Sequence, residues 1–139
     1  MNIETFDDLL LSARQQSDAQ RLLFVFAGSE LPDDCTDEQR ARFEVGMGGA
    51  VVPLMVVDKT PEELSGFPQL IEESTQFAQE HIARDWAIVF VAALGGRGKL
   101  APTSEEADTP LRRMVEAIRA GSVKSFLTFD RQGQLVTLM

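Results

Sequence analysis

Two unbroken apolar runs, LLFVFA at residues 22–27 and WAIVFVAAL at residues 86–94, constrain this chain more than anything else in it. Each follows a helix-like stretch and runs directly into glycine. A half-exposed strand alternates apolar and polar residues, whereas a strand covered on both faces reads as continuous Val, Ile, Leu and Phe. Two such strands with amphipathic segments between them predict a sheet sandwiched by helices. The fold class expected is α/β.

Helix starts are well marked. Thr5-Phe6-Asp7-Asp8 places a hydroxyl at a cap and a carboxylate three residues on, followed by Leu9, Leu10 and Ala13 at helical spacing. Thr36-Asp37-Glu38-Gln39 and Thr60-Pro61-Glu62-Glu63 have the form of capping boxes, the second with proline at the first helical position. Gly66 and Pro68 interrupt the stripe that Thr60 opens, which predicts a short turn and then a helix over about 68–82. Residues 36–45 are charged nearly all round and predict a peripheral helix. Thr109-Pro110 reads as the start of a last helix, with Leu111, Met114, Val115 and Ile118 on one face and Gly121 as its stop.

The expected strands are 22–27, 51–57, 86–93 and a terminal pair, SFLTFD and LVTLM, joined by a tight turn containing Gly133. Pro53 predicts that the second strand lies at a sheet edge or starts after the proline. The order is α-β-α-β-α-β-α-β-β. Helices between strands favour parallel pairing with right-handed crossovers, so the expectation is a single domain with a mixed, mostly parallel sheet and a C-terminal β-hairpin.

Composition bounds the function classes. The formal net charge of -9 is uneven: residues 1–58 carry four Lys/Arg against eleven Asp/Glu. Such a surface repels phosphates, so neither nucleic acid nor an anionic membrane is an expected partner. No apolar run approaches the roughly 18 residues that span a bilayer. The acidic start MNIETFDDLL lacks the pattern of a signal peptide, and the single cysteine, Cys35, allows no intrachain disulfide. A cytoplasmic protein is expected. With one histidine, His81, and one cysteine, neither a transition-metal cluster nor a nucleophile–base pair is spelled out, and no cofactor is expected.

The glycine-rich stretch Ala93-Leu94-Gly95-Gly96-Arg97-Gly98-Lys99-Leu100 is similar to a phosphate-binding loop, but Ala93 and Leu100 stand where that motif needs glycine and a hydroxyl. A looser reading keeps glycine amides with Arg97 and Lys99 as a holder for a small anion. With the last helix starting at Thr109, residues 95–108 form a long loop beside residues 28–35 at the carboxyl end of the sheet. Ser29, Glu30, Cys35, Arg97 and Lys99 are then the candidate ligand-binding residues. Cys35 precedes a helix cap, as in thioredoxin-like redox proteins, but it has no CxxC partner and sits among Asp33, Asp34 and Asp37.

The blocks RLLFVFAGSELPDD, TDEQRARFE, PLMVVDKTPEEL, WAIVFVAALGG and SFLTFDRQGQ together resemble a group of small bacterial proteins of unknown function, over essentially the whole chain. Some members carry the label "ribonucleotide reductase subunit alpha". That chemistry needs several cysteines and a far larger barrel, so the resemblance implies no active-site residues here. The leading expectation is a non-enzymatic interaction or regulatory module with an unidentified protein partner. The apolar terminal strand at 135–139 suggests a homodimer formed through it. The alternative is an anionic-ligand-binding protein or enzyme with its site between residues 28–35 and 95–108.

Overall fold

Residues 22–27 are each no more than 2% exposed, and their alternation divides the molecule into two cores. In the computed structural model, which describes residues 3–30, 36–44, 50–81 and 86–136, this run is the middle of strand β1 (Gln20–Glu30). Leu22, Phe24 and Phe26 point to one face, against helices α1 (Phe6–Arg14) and α3 (Phe67–His81). Leu23, Val25 and Ala27 point to the other, against helix α4 (Ser104–Arg119). Strands β2 (Ala50–Lys59), β3 (Ile88–Gly95) and β4 (Leu127–Asp130) complete a four-stranded sheet of order β2-β1-β3-β4.

Every neighbouring pair in this sheet is antiparallel, so the architecture is α+β and the mostly parallel α/β expectation is wrong. The physical reason lies in the strand order. β2 and β3 do run parallel to each other and are joined through α3, but they flank β1 on opposite sides, so the crossover passes over the strand between them. A continuous apolar run records that both faces of a strand are covered. It carries no information on the direction of the neighbours.

Local signals fared better. Thr5 caps α1, its hydroxyl accepting from the Asp8 amide at 3.3 Å while the Asp8 carboxylate accepts from the Thr5 amide at 3.1 Å. Thr60 opens only a 3₁₀ turn, Pro61–Glu63, before α3 starts at Phe67, as the Gly66 and Pro68 interruption predicts. Helix α2 (Asp37–Glu44) forms at the third capping signal. Pro53 lies in an edge strand, next to an irregularity where Phe26 pairs with Met55 and Ala27 with Pro53, leaving Leu54 extra.

The last helix is different from its expectation. It begins at Ser104, not at Thr109, because Thr103 and Glu106 form a capping box of their own, with reciprocal bonds of 3.1 Å. Pro110 is carried inside the helix, where its missing N–H leaves the Glu106 carbonyl without the usual partner four residues on. The long loop expected at residues 95–108 therefore shrinks to residues 96–103.

The terminal hairpin is present as far as it is described. The amide of Asp130 donates to the Gln134 carbonyl, that of Val136 to the Thr128 carbonyl, and that of Leu135 to Glu4. Gly133 turns the hairpin at φ 78°, and a Cβ there would come within 3.0 Å of the Phe67 ring. The glycine run 46–49 and residues 137–139 lie outside the described residues.

Phe6 sits where α1, α3, β1 and β4 converge, with its ring centre 6.0 Å from that of Phe24, 5.0 Å from Phe67 and 5.6 Å from Phe129. It is fully buried. Replacing it leaves a hole lined by three rings that cannot collapse together. Phe6→Ala is expected to lower the unfolding free energy by about 3–5 kcal/mol in a denaturant titration; a loss below about 1 kcal/mol would show that this junction does not hold the core.

Candidate functional site

The antiparallel register decides which of the candidate residues meet. Gln20 pairs with Gly95, so Arg97 and Lys99 lie beyond the end of β3 beside the start of β1. Ser29 and Glu30 are at the other end of β1, opposite Val51 and Ala50. Nine residues of β1 lie between Ala19 and Ser29, which sets the two on the order of 33 Å apart at about 3.3 Å per residue step. The two groups therefore lie at opposite ends of β1. Cys35 lies outside the described residues, as does the side chain of His81.

The glycine stretch itself is a closed turn. Gly96 donates to the Ala19 carbonyl at 2.8 Å, Arg97 and Leu100 exchange bonds of 2.9 Å, and the Gly98 amide donates to Asp18 Oδ1 at 2.9 Å. A Cβ on Gly96 would fall 2.1 Å from the Leu100 carbonyl oxygen, which is why the chain needs glycine at that position. The amides of Gly96, Arg97, Gly98 and Leu100 are thus already occupied, that of Gly98 by a carboxylate from the same chain. A hollow of about 450 Å³ beside the turn is flanked by Arg97 and Glu106, charges of opposite sign. This turn ties β3 to the start of β1.

Three arginines that reach into the protein are likewise committed to holding elements together. Arg21, with 14% of its side chain exposed, donates to Asp58 Oδ2 at 2.6 Å and to the Pro102 carbonyl at 2.5 Å. Ser104 Oγ donates to the same Oδ2. One guanidinium and one carboxylate therefore clasp β1, β2 and the start of α4. A carboxylate shared by a guanidinium and a hydroxyl is an acceptor already in use, so this arrangement does not activate Ser104 as a nucleophile. Arg131 stacks over the Trp86 ring at 4.5 Å and donates to the Trp86 carbonyl and to Thr75, while Trp86 Nε1 donates to Ser74 Oγ at 3.1 Å. Arg14 donates to the carbonyls of Pro61 and Leu64. Among the described residues every buried side-chain polar atom has a partner.

Sequence reasoning missed the Arg21–Asp58–Ser104 clasp. Its signal was present: a charged residue enters the first apolar strand and another leaves the second, at the same end of an antiparallel pair. Reading the strands as parallel hides that coincidence.

The opposite situation holds on the outer side of α4. There Leu111 and Val115 meet Val56 of β2 in an open groove of about 570 Å³. Val56 is 48% exposed although it stands on a strand face that packs against α4. Along the rim run Asp108, Arg112, Glu116 and Arg119, one helical ridge of alternating charge. β2 is an edge of the sheet, with β1 as its one neighbour in the strand order. The other edge, β4, has its outer side met by residues 134–136, where Phe129 and Leu135 form a bridge. Among the described residues no group of His, Cys, Asp or Glu is gathered as a metal site, and no helix is long and apolar enough to cross a membrane.

Three carboxyls are held below their ordinary range by donors beside them. For Glu63 the Thr60 amide does most, then the Thr60 hydroxyl, with Arg21 and Lys59 adding attraction. For Glu73 the Gln69 side-chain amide and then Lys59 do so, and for Asp8 the backbone amides of Glu4 and Thr5. A group with a depressed folded value contributes stability that is complete above its unfolded value and is lost as pH falls through the folded one. Unfolding midpoints are therefore expected to fall on acidification through the ordinary carboxylate range and below. Glu63→Gln should flatten part of that decline in denaturant titrations run across the acid range; an unchanged slope would show that the Thr60 cap does not favour the ionised form.

No protein-family model, curated protein or solved structure matches this chain.

Proposed function

We propose that the protein is a non-enzymatic interaction module acting in the cytoplasm, and that its binding face is the groove between α4 and β2. The observation that carries this reading is the half-exposed Val56, set with Leu111 and Val115 in an apolar trough with a charged rim. Such a trough at a sheet edge is the form a protein-docking surface takes, with an apolar floor for affinity and a polar margin for orientation. The arginines support the same reading, because the strongest polar groups serve the fold rather than a reacting centre. A single cysteine suits a reducing compartment. The anionic-ligand alternative is weakened by the occupied amides of Gly96, Arg97, Gly98 and Leu100 and by the separation of Ser29 and Glu30 from Arg97 and Lys99.

A homodimer through residues 135–139 has less support than one elsewhere, since Leu135 and Val136 already bond within the chain to Glu4 and Thr128. The reading is tested by placing a photo-crosslinking residue in cells at Arg112, on the groove, or at Gln76, exposed on α3. Protein adducts are expected from Arg112 and at least several-fold fewer from Gln76. Equal labelling at both positions, or none from Arg112, would contradict it.

A further inference from the structure

The proposed docking face has a property that names its occupant. Asp108, Arg112, Glu116 and Arg119 follow one another at spacings of four, four and three residues, so they form a single ridge along α4 on the side that borders β2. Their charges read negative, positive, negative, positive. Turned through a half rotation about a point near Met114, the ridge presents each charge to its opposite: Asp108 to Arg119 and Arg112 to Glu116. An alternating ridge with this centre is complementary to a second copy of itself running antiparallel, and sets like charges against each other when the two copies run parallel in register.

We propose, resting on the interaction-module reading, that a second copy of this chain docks on the α4–β2 face, with the two α4 helices antiparallel about a twofold axis. The sheet supports the same axis. A twofold perpendicular to the sheet sets the outer edge of β2 antiparallel to the β2 of the copy and keeps both α4 helices on one face. Strands in such a sheet are about 4.8 Å apart, and α4 lies over β1 and β2. Two helices placed in this way are separated by two strand spacings, about 10 Å, which is the distance at which helices pack. Val56, Leu111 and Val115 of each copy then close one shared apolar seam, and the contact is isologous as a twofold requires. Within one chain Arg112 bonds to Asp108 at 3.1 Å and Arg119 to Glu116 at 3.4 Å, all on exposed side chains, so these bonds are free to exchange for intermolecular ones.

Sedimentation equilibrium on the purified full chain tests this with three proteins. The wild type is expected to be a dimer. In Arg112→Glu each new carboxylate faces the Glu116 of the other copy, and in Glu116→Arg each new guanidinium faces the other copy's Arg112, two like-charged pairs per dimer in either case, so each variant alone is expected to weaken dimerisation at least tenfold. Mixed in equal amounts, the two variants have only opposite charges across the axis and are expected to form a heterodimer. That recovery cannot come from either chain's own stability, which circular dichroism of each variant alone reports. A monomeric wild type, single variants as dimeric as the wild type, or a mixture that stays monomeric would each overturn the proposal. A monomeric wild type that still gives protein adducts from Arg112 in cells would leave the interaction module standing with a different partner. A monomeric wild type without such adducts would remove both.

Discussion

The structure depends on burying both faces of β1. Residues 22–27 carry two phenylalanines and four aliphatic side chains, all at 2% exposure or less. At about 1.5–3 kcal/mol for each large side chain fully removed from water, this one strand is a leading source of stability. It also dictates what the rest of the chain must do. α1 and α3 cover one face, α4 covers the other, and β2 and β3 supply hydrogen-bond partners along both edges. The polar clasps then sit at the margins: Arg21 with Asp58 and Ser104 where α4 begins, Arg131 with Trp86 where β3 begins, and the closed turn at 96–100 where β3 returns to β1.

Coverage of β1 was legible in the sequence and strand direction was not. A run such as LLFVFA is written by the two layers above and below it, which act on side chains. Direction is written by which edge the next strand joins, a matter of long-range pairing that leaves no trace in the run itself. The general preference for parallel pairing across a helix failed because α3 carries the chain past β1 before β3 joins the sheet. Local signals succeeded where a few residues decide the outcome: Thr5 with Asp8, Gly66 with Pro68, Pro53 in an edge strand. They failed at Thr109-Pro110, where a plausible helix start hid a complete one at Thr103–Glu106. Proline is compatible with both readings only because α4 accepts one missing hydrogen bond.

That single misplacement had consequences for the candidate site. Starting the helix at Thr109 cut Asp108 from the charged ridge and lengthened the preceding loop into an apparent binding loop. The parallel sheet then brought residues 28–35 to the same end as Arg97 and Lys99. With both errors removed, the glycine turn is a structural closure. The open surface lies along α4 and β2 instead, where charged side chains alternate in sign along the helix and Val56 stands half-exposed beside the partly buried Val115.

The antiparallel pairing of β1 with β3 underlies every step from fold to docking face, and one distance tests it. Spin labels introduced at Ser29 and Arg97, in a chain carrying Cys35→Ser, report their separation by electron–electron dipolar spectroscopy. The register of β1 against β3 predicts a separation on the order of 30 Å or more, set by the length of β1 at about 3.3 Å per residue. A separation on the order of 10 Å, as for the same ends of neighbouring parallel strands about 4.8 Å apart, would contradict the account.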